Sequence, residues 1–224
     1  VVLFAALSYA VTQSTRGGGN DASGEKTQAR YAELMNYFTQ LDSAVTRMRT
    51  TGGLKDYEIS FYSAAMQYVS GGLPNNNCTT SNCMVFDPAG GAVVGRKLVD
   101  YTRAGINDPE RITYETVPGV GTDLPDMVFK IQGVKTDICL EANKRFGLND
   151  HIYNSANNDS NVAVNAYQQP IPIGYFPTST AVMTNIPVEA ALAGTFCYCI
   201  FTTKSQCESA SNYRPVLAHI LIAR

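Results

Sequence analysis

Six apolar residues at alternating spacings of three and four, Tyr31, Leu34, Phe38, Leu41, Val45 and Met48, run through residues 25–50, with Arg30, Glu33, Gln40 and Arg47 between them. An α-helix gathers such a set on one side, because its 3.6-residue turn stacks i, i+3, i+4 and i+7 along a single face. The segment therefore predicts a long amphipathic helix, ended by Thr50, Thr51, Gly52 and Gly53. A helix that is apolar along one stripe buries one stripe, so the remaining chain has to supply a surface for it to lie on. Core packing, not cofactor binding, is the ordinary use of such a stripe.

The segment before it is of another kind. Residues 1–11 are apolar or small, polar residues begin at Thr12 and Gln13, and Gly17, Gly18 and Gly19 follow. A helix over this run is greasy nearly all round and wants lipid or protein on every side. A bilayer span takes roughly 20 apolar residues, about twice what this run supplies. The start has no initiator Met, charged n-region or small-residue cleavage site, and reads as processed or truncated. Residues 17–24, with caps available at Asn20, Asp21 and Ser23, read as a break between two helical pieces. The expected division is thus an apolar N-terminal helix and glycine break over 1–24, and a globular domain over 25–224.

A chain of 224 residues can bury a sizeable single core. Only 16% of its residues are charged and its formal net charge is -2, so the basic footprint needed to neutralise phosphates is missing and nucleic acid is not an expected partner. Six cysteines, Cys78, Cys83, Cys139, Cys197, Cys199 and Cys207, favour an oxidising compartment. Fifteen pairings are open to them. We favour Cys78–Cys83 and Cys199–Cys207 as local loop closures, with Cys139 left for Cys197. Zinc fits less well, since the Cys197-Tyr198-Cys199 spacing alternates across a strand and His151 and His219 lie far off.

Residues 54–70 fit neither helical nor strand periodicity cleanly and read as a short helix or turn, and residues 71–82 read as a loop. Met84, Val85 and Phe86 face Ala92, Val93 and Val94 across a turn at 87–91, as in a hairpin or bulged turn. The same glycines do not make a phosphate loop, because Gly95 is followed by Arg96, Lys97 and Leu98 in place of Lys and then Ser or Thr. Strands are expected at 112–117 and 127–131. A second helix is expected at 136–146, with Thr136 as its cap, Asp137 in its first turn, Lys144 and Arg145 in its last, and Gly147 as its stop.

Residues 149–165 are rich in Asn, Asp and Ser. Asp150, Asn157, Asp159 and Asn161 carry calcium-type oxygens without EF-hand spacing, and a solvated loop suits them better. Asn77 and Asn158 stand in glycosylation-type triplets. The closing segments at 196–202 and 216–223 are the best strand candidates and predict an antiparallel hairpin near the sheet centre, with His219 as a packed or edge residue. No nucleophile elbow, zinc-protease helix or dinucleotide turn is present. Gly119-Val120-Gly121 runs into a loop, and carboxylate pairs such as Asp123 with Asp126 are common in chains of this length. The chain is not expected to be an enzyme, and no cofactor or metal is expected.

The order of an apolar N-terminal helix, a glycine break, an amphipathic helix and an antiparallel sheet with cysteines in its C-terminal part resembles type IV pilins and pseudopilins. More closely, LFAALSYAVTQS (3–14), CMVFDPAGG (83–91), ICLEANKRFGL (138–148) and VLAHILIAR (216–224) are similar to segments of a group of uncharacterised bacterial pilin-like proteins. That resemblance implies an α+β fold, a long N-terminal helix broken at the glycines and packed on a disulfide-stabilised antiparallel sheet. It implies residence in the inner membrane before assembly, and then a cell-surface filament with Val1, Val2, Leu3, Phe4, Leu7 and Val11 in its core and Gly17, Gly18 and Gly19 as a hinge. The partners would be other copies of the chain, in a helical homopolymer raised by some assembly machinery. No glutamate stands among residues 1–7, where such pilins carry one. Two other classes compete: a membrane-anchored binding module with a ligand site in the Tyr-rich segment around Tyr167 and Phe176, and a secreted enzyme.

Overall fold

The structure, a computed structural model, describes residues 21–62, 75, 77–103, 110–115, 117, 119–122, 126–145, 147, 153–154, 194–199 and 215–223. Helix α1 (Asp21–Thr50) is the amphipathic segment, starting four residues ahead of its expected position, so that residues 21–24 are helical. All six stripe residues are buried, and Tyr37 and Ala44 widen the stripe. The helix stops as its glycines predict. Gly53 takes φ +65, which glycine adopts without a side-chain clash, and the Leu54 amide returns to the Met48 carbonyl at 3.1 Å.

The surface that α1 needs is a five-stranded sheet of β1 (Glu110–Glu115), β2 (Asp126–Gln132), β3 (Tyr153–Asn154), β4 (Thr195–Cys199) and β5 (Pro215–Ile222), in the order β1-β2-β5-β4-β3. The first three pairings across that order are antiparallel, and the short β3 runs parallel to β4. The fold is therefore α+β, and the C-terminal strands pair as the expected hairpin, with β5 between β2 and β4. β3 falls inside the stretch read as a solvated loop. Its two residues carry no strand pattern of their own and owe their conformation to the edge of β4.

Strand alternation sorts the residues. Met127, Phe129, Ile131, Cys197, Leu217 and Leu221 point to the side covered by α1, while Val128, Phe196, Tyr198, Val216 and Ala218 join Val117 in a second apolar cluster on the other side. Strands buried on both faces read as continuous apolar runs, which is why VLAHILIA stood out in the sequence. Phe38 and Tyr37 meet Phe129 edge-on, with ring centroids 5.8 and 6.2 Å away, so α1 crosses over the middle of the sheet.

Helix α2 (Thr136–Arg145) follows β2 and packs beside α1, where the Thr27 hydroxyl donates to Asp137 at 2.7 Å. Its first intrahelical bond runs from the Cys139 amide to the Lys135 carbonyl, which makes Lys135 the cap. The hydroxyl of Thr136, expected to cap, instead accepts from Arg103 Nη2 at 2.9 Å. Residues 84–93 form the expected tight turn, with Gly91 N donating to Met84 O and Val93 N to Val85 O, but Met84 pairs with Ser60 and not with a return strand. The segment at 54–62 holds one short 3-10 turn at Asp56–Glu58.

Among the described residues there are two disulfides, Cys78–Cys83 and Cys139–Cys197, with Cα atoms 5.5 and 5.4 Å apart, and both are favoured pairings. The pairing of Cys199 with Cys207 lies outside the described residues. So do residues 1–20, which hold the proposed assembly residues and glycine hinge, and the segment around Tyr167 and Phe176.

Candidate functional site

The chemistry-bearing groups brought together by the fold meet under α1. Thr195 on β4 and His219 on β5 are directly opposed in the strand register, and the Thr195 hydroxyl lies 2.6 Å from His219 Nδ1. The other ring nitrogen, Nε2, lies 3.0 Å from both carboxylate oxygens of Asp42 on α1. The imidazole stacks flat on Phe38, one turn before Asp42, with centroids 4.6 Å apart and planes 8° from parallel. Because a carboxylate only accepts, Nε2 carries a proton. In the neutral ring Nδ1 then accepts from the Thr195 hydroxyl, and in the imidazolium it donates to it, so every polar atom is satisfied in either form.

A hydroxyl, an imidazole and a carboxylate in line have the composition of a nucleophilic triad. The exposure runs the wrong way for that use. Thr195 is 1% exposed and His219 7%, whereas the Asp42 side chain is 41% exposed. A nucleophile has to be reached by substrate, and here the hydroxyl is the innermost member while the carboxylate faces water. What the array does is fasten: it ties α1 to two adjacent strands through directional bonds that a smooth apolar stripe lacks. The expectation that His219 is a packed residue holds, and its partners Asp42 and Thr195 carried no local signal.

Further contacts tie other segments to α1. Arg47 Nη2 donates to the Gly91 and Gly90 carbonyls at 2.6 and 3.3 Å, which holds the 84–93 turn against the end of α1. The Tyr101 hydroxyl donates to Glu33 at 2.7 Å, and the Arg96 guanidinium lies 5.9 Å from the ring of Tyr37. Burial, and then the bond to Glu33, push the Tyr101 hydroxyl above its ordinary pKa. Burial raises Tyr31 to about 12 and takes Tyr37 higher still.

No family model matches the chain. No curated protein and no solved structure matches it either. Among the described residues no group of three or more His, Cys, Asp or Glu is placed to hold a metal ion, and no helix is long and apolar enough to cross a membrane. Asp126, paired with Asp123 in the sequence reading, is buried and accepts from the Val117 amide at 3.2 Å, a structural use of its carboxylate.

Proposed function

We propose that the chain is the structural subunit of a cell-surface, pilus-like filament, held in a membrane before assembly and polymerised through its apolar N-terminal segment. The observation that carries this reading is where burial begins on α1. From Ser23 to Arg30 no side chain is buried, and the core stripe starts only at Tyr31. At 1.5 Å per residue those eight positions make roughly 12 Å of helix that contributes nothing to the core. That stretch lies at the surface, joined to α2 through Thr27 and Asp137, and the sequence ahead of it is the apolar run of residues 1–11, which suits a helix that carries on as a stalk. The inverted exposure of the Thr195, His219 and Asp42 array favours a structural over an enzymatic role.

In this reading Val1, Val2, Leu3, Phe4, Leu7 and Val11 pack against the same residues of other copies, and Gly17, Gly18 and Gly19 let the helix extend locally. A surface that joins head to tail without closing gives fibres. Electron microscopy of detergent-free material tests it: filaments are expected from the full chain, and soluble monomers from a chain lacking residues 1–16. Phe4→Asp and Leu7→Asp should abolish filaments while leaving the circular dichroism spectrum and unfolding midpoint unchanged. A full chain that stays monomeric after detergent removal, or binds a small ligand as a monomer, overturns the filament reading in favour of an anchored binding module.

A further inference from the structure

Helix α2 holds Cys197 twice. Cys139 is bonded to it through sulfur, and Asn143, one helical turn later on the same face, holds its main chain: Asn143 Oδ1 accepts from the Cys197 amide at 2.8 Å, and Asn143 Nδ2 donates to the Cys197 carbonyl at 3.2 Å. A carboxamide carries the same donor and acceptor as a peptide unit, so one side chain satisfies both groups. Asn143, Cys139 and Cys197 are all fully buried, where a polar group left without a partner carries its whole desolvation penalty. The other cysteine position on β4 is differently placed. Position 199 stands between Asn154 of β3 and Pro215 of β5 in the strand register, so there the edge of β4 is already taken by a strand.

We infer that Asn143 selects the disulfide: it docks α2 on β4 with Cys139 against Cys197, and so excludes a bond from Cys139 to Cys199. A choice exists because strand positions two apart share a face and stand roughly 6.8 Å from one another, little more than the rise of about 5.4 Å in one helical turn. A small slide of α2 covers that distance, and the apolar contacts of Ile138 and Ala142 oppose it weakly because they have no direction. The carboxamide does have direction. A slide that carried Cys139 to position 199 would strand the Cys197 amide and carbonyl, and Asn143 with them, in the interior. The bond forms by thiol–disulfide exchange: one of the two thiolates attacks a disulfide-bearing oxidant, the other displaces it from the mixed disulfide, and the oxidant leaves as two thiols with the two electrons and two protons. Asn143 takes no part in the exchange and acts by position alone. The selection holds whether or not the chain polymerises.

The test refolds the reduced full chain from urea into detergent, with glutathione and its disulfide as the redox pair, and maps the bridges by mass spectrometry after cleavage behind Tyr198, which separates Cys197 from Cys199. The wild-type chain should give Cys139–Cys197. Asn143→Ala should raise the ratio of Cys139–Cys199 to Cys139–Cys197 about tenfold or more, with Cys78–Cys83 formed as before. An unchanged ratio overturns the selection. Amide hydrogen exchange in the unbridged chain, Cys139→Ser/Cys197→Ser, asks whether the hold of Asn143 precedes the bond. Position 197 should there exchange within about tenfold of its strand neighbours at 196 and 198. Faster exchange confined to position 197, or an unbridged chain that does not fold, means that the bond places Asn143 and not the reverse, and overturns the inference. If Asn143→Ala scrambles Cys78–Cys83 as well, the substitution has unfolded the chain, and the exchange measurement decides.

Discussion

His219 shows how one polar side chain fixes a helix that apolar packing alone would let slide. Its ring stacks on Phe38 and spans Thr195 and Asp42, so His219→Ala removes packing and strands a buried hydroxyl, at a cost of about 3 kcal/mol. The double variant Thr195→Val/His219→Phe removes both polar partners while keeping the shape, and should recover most of that loss. Asp42→Asn leaves an acceptor at a half-exposed position and should cost less than about 1 kcal/mol. Urea unfolding of the three variants checks the order. Two neighbours in the 84–93 turn should respond with opposite signs. A Cβ at Gly91 would stand 2.2 Å from the Val85 carbonyl oxygen and 2.6 Å from its Cα, so Gly91→Ala should cost about 3 kcal/mol. Ala92 sits at φ +53, where a Cβ is strained, and Ala92→Gly should gain up to about 1 kcal/mol in the same assay.

Among the elements, α1 declares itself in sequence because helical periodicity is a local property, and the same holds for the alternation and apolar runs of β1, β2, β4 and β5. The covalent ties between elements differ in leverage. Cys139–Cys197 closes a 58-residue separation between α2 and β4, whereas Cys78–Cys83 closes one of 5 residues. On chain entropy, removing the first should cost about 4 kcal/mol and removing the second about 2 kcal/mol. Thermal unfolding of the two Cys→Ser pairs measures the difference, and equal losses would contradict it. Arg47, read in the sequence only as a polar spacer between stripe residues, proves to hold the 84–93 turn through the Gly91 carbonyl. Nothing in its spacing marked that use, since its partner lies on a separate segment.

For the molecule as a whole, the tyrosines of α1 couple the fold to alkaline pH. Burial raises Tyr31 to about 12 from an ordinary value near 10, with Arg145 opposing and Glu141 adding to the shift, and burial raises Tyr37 further. The native state therefore holds these phenol protons more tightly than the unfolded state. Stability from this source is whole below about pH 10 and declines as pH climbs through about 12, because the unfolded chain releases its protons first. Tyrosinate absorbance should rise in two stages, with the later stage coincident with loss of the sheet signal. Tyr31→Phe and Tyr37→Phe should each move alkaline unfolding upward in pH, and a single early rise in absorbance with the fold intact would contradict this.

Residue order alone shows the six-residue stripe that α1 buries, where the main strands lie, and where Gly53 and Gly147 stop the helices, and it favours Cys78–Cys83 as a short loop closure without deciding it. Those features depend on local conformational preference and on a periodicity that burial imposes along one element. Contacts between distant segments settle the rest: β5 lies between β2 and β4, β3 joins the edge in parallel, Asp42 and Thr195 converge on His219, and the Asn143 side chain of α2 bonds the backbone of Cys197. Each of those pairings joins residues far apart in the chain, where register and the crossing of a helix over a sheet set the partner, and no local pattern encodes either.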